Sequence, residues 1–193
     1  TGWVSILGPS ITTPAWSADQ TIPFAFDFNG SPVTQYKVSS TGVLTYDVAA
    51  ATVPAATNSA LPSASIPNSS VCIWGIEASG GNDRVVTKTF GTAPNRQHWV
   101  FFTSHSLNGG WSYWSIAMEE TTNKIYIVDQ RHSGTTGGVT AGIQIDGSTA
   151  YSVVNRKSTH LEHQIGVYVV TAKDAAGVKN QKKSEKNENY CCC

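Results

Sequence analysis

The residues of this chain best suited to chemistry are aromatic. In Asn108-Gly-Gly-Trp111-Ser-Tyr113-Trp114 a glycine turn leads into an extended segment. Side chains alternate there, so Trp111 and Tyr113 share one face and Trp114 and Ile116 the other. One set should fill a core, which leaves the other to face outward or to be buried under loops. Outward rings stack on sugar rings or anchor a partner protein. Trp111 and Tyr113 are therefore the candidate ligand-binding residues.

Other chemistries fare worse. Glu119 and Glu120 are of the type that performs acid/base glycoside chemistry, but strand neighbours point to opposite faces and cannot flank one substrate unaided. His160 and His163 stand three apart in a polar stretch with no obvious third metal ligand. Asn82-Asp83 offers too few acidic oxygens to hold calcium. Gly134–Gly138 lacks the lysine and the strand–loop–helix setting of a phosphate loop. No G-x-S-x-G elbow occurs. The expectation is a non-enzymatic chain with no catalytic residue, no metal and no cofactor. Arg96, after Pro94-Asn95 at a strand entry, is expected to be structural, its guanidinium tying loop carbonyls together.

The elements that position Trp111 and Tyr113 read as strands. Phe24, Phe26 and Phe28 alternate with Ala25 and Asp27, and Asn29-Gly30 is suited to the positive φ of a tight turn. Tyr36 and Val38 follow on one face, then a turn at Ser40-Thr41-Gly42 and the run Val43–Tyr46. Pro23 to Asp47 is thus a three-stranded meander, with Phe24, Phe26, Phe28, Tyr36, Val38 and Leu44 facing inward. Trp3–Leu7 reads as an edge strand. The Ala-, Ser- and Pro-rich residues 48–69 read as a crossing between two sheets with room for one helical turn. Val71–Ile76 is apolar throughout, as in a strand covered on both faces. Later runs bring the count to about ten short strands with no long amphipathic helix. The fold class is all-β: an antiparallel β-sandwich, jelly-roll-like or immunoglobulin-like, spanning residues 1–172. Residues 173–193 read as a charged tail or linker.

Composition narrows the function classes. The 13 basic and 13 acidic residues cancel, so no overall field recruits nucleic acid or an anionic membrane. No apolar run reaches the ~18 residues of a membrane span. Cys72 sits in the apolar run Val71-Cys72-Ile73-Trp74 and reads as a small buried hydrophobe, with a disulfide to the tail as the alternative. Cys191-Cys192-Cys193 closes the sequence, and no disulfide framework or zinc spacing is present.

The segments Pro23–Gly30, Val38–Tyr46, Ala93–Arg96, Glu119–Val128 and Ala141–Gln144, in that order, carry a resemblance over about residues 20–150. The chain resembles a β-sandwich module of large secreted surface proteins of Bacteroidetes-type bacteria, adhesion-like and often exported by the type IX route. That resemblance implies a sandwich on the outside of the cell and supplies no catalytic residues. The tail departs from it, since no C-terminal sorting domain is read after residue 172. The resulting expectation is an extracellular or cell-surface binding and adhesion module that associates with copies of itself or with neighbouring surface-protein domains. The alternative is a carbohydrate-binding module that takes glycans on exposed aromatics.

Overall fold

The computed structural model of the chain describes residues 2–107, 109–133, 138–155 and 166–171. Two meanders make most of it. β2 (Gln20–Phe28), β3 (Ser31–Val38), β4 (Val43–Thr45) and β5 (Ser70–Trp74) lie side by side in one sheet. β6 (Arg84–Phe90), β7 (Gln97–Leu107), β8 (Gly110–Glu119) and β9 (Lys124–His132) do the same in the other. β10 (Thr140–Gln144) and β11 (Ala150–Asn155) return to the first sheet beside β5. β12 (Gly166–Thr171) joins the second beside β9, and β1 (Val4–Leu7) forms its opposite edge against β6. The front sheet thus runs β1-β6-β7-β8-β9-β12 and the back sheet β11-β10-β5-β4-β3-β2. Every pairing between these strands is antiparallel. The expected antiparallel β-sandwich is what the chain forms.

Local chemistry explains the turns. Asn29 and Gly30 take φ of 50° and 74°, the mirror-image turn that suits a twisted hairpin. Alternation then sorts the side chains: Phe24, Phe26, Phe28, Tyr36, Val38 and Leu44 are all buried, as their shared parity requires. They meet Val100, Phe102, Trp114, Ile116, Ile125 and Ile127 of the front sheet in one apolar core. Two polar links cross it. Tyr36 Oη and His98 Nε2 share a hydrogen bond of 2.8 Å, and His98 Nδ1 reaches Thr89 Oγ1 at 2.9 Å. Asp27 donates its backbone N–H to Asn123 Oδ1 at the β8–β9 hairpin tip, at 2.9 Å.

Residues 48–69 correct one expectation. They are no crossing between sheets, because β4 and β5 pair directly, and they hold no helix. The segment instead lies over the outer face of the back sheet. Thr41 Oγ1 donates to Pro54 O, Trp74 Nε1 to Ala55 O, and Gln144 Nε2 to Ser63 O and Ile66 O. The physical reason is apolar: the back sheet carries Val43, Cys72 and Trp74 on that face, and Ile66, Leu61 and Trp16 cover them in a second small core. That cover is why β5 is buried along its whole length. Cys72 is buried and free, and burial pushes its thiol pKa up. The alternative disulfide partners Cys191–Cys193, and the tail 173–193, lie outside the described residues.

Candidate functional site

Period-two alternation divides the middle of the front sheet cleanly. Val100, Phe102, Trp114 and Ile116 turn into the core, while Trp99, Phe101, Trp111 and Tyr113 are less buried and lie on the outer face. The outer rings touch in an unbroken chain. Trp99 meets Phe90 at 6.5 Å between centroids, Phe90 meets Trp3 at 5.7 Å and Trp3 meets Phe101 at 5.6 Å. Phe101 then meets Tyr113 at 6.1 Å, and Tyr113 meets Trp111 at 5.5 Å. Phe90 and Trp111 are each 41% exposed, and Val4 on the neighbouring edge strand is 62% exposed.

Two irregularities shape the end of this ridge. On β7 the register shifts between Phe102 and His105, and Ser104 takes a φ of 55°. With Phe102 and His105 both buried, the extra residue leaves Ser104 outside, its Oγ 2.6 Å from Tyr113 Oη. On β9 the register shifts opposite Tyr113 and Trp114, so that Trp114 pairs with Asp129 but Tyr113 pairs with Arg131. Bulges re-aim side chains in this way. Arg131 lies against the rings, its Cζ 5.2 Å from the Trp111 centroid and 4.6 Å from that of Tyr113.

A turn completes the enclosure. The Glu77–Ser106 bridge and the 3.1 Å contact of Ser79 Oγ with Ser106 Oγ bring residues 80–83 to the end of β7. Gly80, Gly81, Asn82 and Asp83 then face Ser104, Trp111, Tyr113 and Arg131 across a concavity of about 280 Å³. Asp83 is buried, accepts the Gly80 N–H at 2.6 Å, and has its pKa raised by burial against the opposing pull of that bond and of Arg84. Both sequence-derived candidates, Trp111 and Tyr113, line this cleft. Arg131 and Ser104 carry no signal in the sequence, because bulges place them. The turn 80–83 is legible as a turn, and Asn82-Asp83 as a poor calcium loop, but a non-local bridge brings it to the cleft.

The remaining candidates are tied into the framework. Glu120 holds Arg96 in a two-pronged pair, Nη2 to Oε1 at 2.6 Å and Nε to Oε2 at 2.8 Å, and also accepts the Arg96 backbone N–H at 3.1 Å. Arg96 is structural, as expected, but its fork grips this carboxylate rather than loop carbonyls, and its guanidinium lies over Phe24. The hydrogen bonds from Arg96 hold Glu120 below the ordinary carboxylate value. Burial pushes Glu119 upward, yet hydrogen bonds from Thr122, Gln97 and Tyr126 hold it low on balance. Inside the sandwich, His105, Ser112 and His132 form a polar row beside Trp114 and Asp129, with His132 Nδ1 3.3 Å from Asp129 Oδ1. Among the described residues, no group of three or more His, Cys, Asp and Glu is placed to hold a metal. His160, His163 and residues 134–137 lie outside the described residues.

A family model described as NIDO related matches residues 10–182. The chain belongs to the NIDO-related family. Domains of this family are typically extracellular, which agrees at that coarse level with the expected location outside the cell. No curated protein and no solved structure matches this NIDO-related chain. Among its described residues, no helix is long and apolar enough to cross a membrane.

Proposed function

We propose that this NIDO-related domain is a non-enzymatic binding and adhesion module at the cell surface. It joins copies of itself or neighbouring surface-protein domains through the outer face of the front sheet. The observation that supports this best is the row of six touching rings from Trp99 to Trp111, two of them 41% exposed. A monomeric surface seldom leaves so continuous an apolar strip uncovered. The adjoining edge strand β1 carries Val4, Ser5, Ile6 and Leu7 and no charge to repel a neighbour. Glu119 and Glu120 support the non-enzymatic reading, since their oxygens are engaged by Gln97, Thr122, Tyr126 and Arg96. The resemblance to type IX-exported surface modules extends the reading to a bacterial cell surface.

Sedimentation over a range of concentrations, at low and high salt, tests self-association. Association that persists at high salt and weakens in Val4→Lys and Trp111→Ala is expected; a strict monomer throughout removes self-assembly. A second reading, glycan binding, is favoured by the concave shape at Trp111 and Tyr113. It predicts retention on immobilised glycans that Trp111→Ala abolishes.

A further inference from the structure

Arg131 is the feature of the cleft that an apolar docking face does not account for. Its guanidinium lies against Trp111 and Tyr113, and among the described residues it makes no hydrogen bond or ion pair to a protein acceptor. The bulge in β9 turns this exposed residue outward at a position where strict alternation would bury it. Stacking on two rings restricts the guanidinium and leaves its planar fork of donors available. Such a fork matches a carboxylate in two-pronged geometry.

The rest of the lining bears on what carries that carboxylate. Trp111 presents an exposed ring. Around it stand the Ser104–Tyr113 hydroxyl pair and the turn residues Gly80, Gly81 and Asn82. Apolar ring surface bordered by small polar groups suits a pyranose, which has an apolar face and a rim of hydroxyls. A peptide would gain most from an unpaired strand edge, but β7, β8 and β9 are all interior strands paired on both sides. Asp83, the acidic side chain in the lining, is buried and held by Gly80, so Arg131 supplies the accessible charge.

We infer that the cleft binds an acidic saccharide, a hexuronate-type residue whose carboxylate pairs with Arg131 while its ring rests on Trp111. The inference builds on the glycan reading and narrows it to one sugar class.

Calorimetric titration with three probes tests it: a galacturonate trisaccharide, its methyl-esterified neutral counterpart, and a short glutamate-rich peptide. The acidic trisaccharide is expected to bind at least about tenfold more tightly than the ester. Arg131→Gln should erase that preference. Arg131→Lys should restore only part of it, because ammonium lacks the fork. Trp111→Ala should remove binding of both saccharides. Thermal unfolding of each variant confirms that binding is read on folded protein. Equal affinity for acid and ester overturns the inference and leaves glycan binding standing. Binding of the peptide alone overturns both in favour of a protein anion, and no binding by any probe removes the glycan reading altogether.

Discussion

Arg96 and Tyr36 show how single side chains hold this sandwich. The Arg96 fork closes on Glu120 while its backbone N–H reaches the same carboxylate, so the 91–96 loop is fastened to the end of β8. Lysine cannot reproduce two parallel bonds from one planar group. Arg96→Lys is expected to lower thermal stability modestly, as for a solvent-screened pair, and to make the loop more protease-sensitive. Unchanged melting and proteolysis would refute that role. Tyr36 is the stronger case, because its hydroxyl meets His98 in the buried interior. Tyr36→Phe leaves the His98 nitrogen without that partner and is expected to cost about 1–3 kcal/mol, the penalty of a buried unsatisfied group. Urea denaturation measures it.

Strand pairs and turns form the next scale. The β2–β3–β4 meander presents its rings as one surface, with Phe26 between Phe24 and Tyr46 at 6.5 and 6.1 Å. Truncating a ring so enclosed leaves a cavity, and Phe26→Ala should destabilise by about 3–5 kcal/mol; a loss under about 1 kcal/mol would show that the ring does not belong to the core. The β3–β4 turn depends on Gly42, whose φ is 88° and whose missing side chain would sit 2.3 Å from the Ile73 carbonyl oxygen. Gly42→Ala therefore meets both backbone strain and a clash with β5. It should be among the most damaging single substitutions, read as poor yield of folded protein.

The whole molecule responds to pH through its buried histidines. Burial depresses His98 and His105 from the ordinary 6.5 to about 4, so both rings are neutral in the folded state at pH 7. The unfolded chain takes up these protons first, near pH 6.5, and the folded chain only near pH 4. Stability should therefore be full above about 6.5, fall as pH drops towards about 4, and level off below as far as these two groups are concerned. At about 1.4 kcal/mol per pK unit the combined loss is roughly several kcal/mol. Glu119 and Glu120, held below their ordinary 4.5, add their loss only at lower pH. Denaturation midpoints between pH 7.5 and 4 that stay level would contradict this. Association should behave differently. Residues 1–172 carry 8 basic and 10 acidic residues, leaving little net charge to drive it. Salt should weaken it little, although screening at about 8 Å would disrupt a charge-driven contact.

What the sequence determined was set by alternation and turn chemistry, which act locally. Three phenylalanines at every second position and Asn29-Gly30 between two runs each have one extended solution that buries apolar surface, and alternation puts Trp111 and Tyr113 on one face and Trp114 and Ile116 on the other without saying which turns inward. Inward faces, hairpins, the all-β class and the shared face of the two candidate rings follow from that. Tertiary structure decided what alternation cannot encode. Residues 48–69 read as a crossing because proline and alanine carry no period; only the apolar back of β4 and β5, which needs covering, made them a cover. Arg131 stands two positions after the inward Asp129, and parity alone would send it inside as well. One extra residue in β9 reverses it, because pairing with β8 is maintained on both sides of the bulge. The cleft exists for the same reason: its walls come from a turn and three strands that meet only once the front sheet has formed.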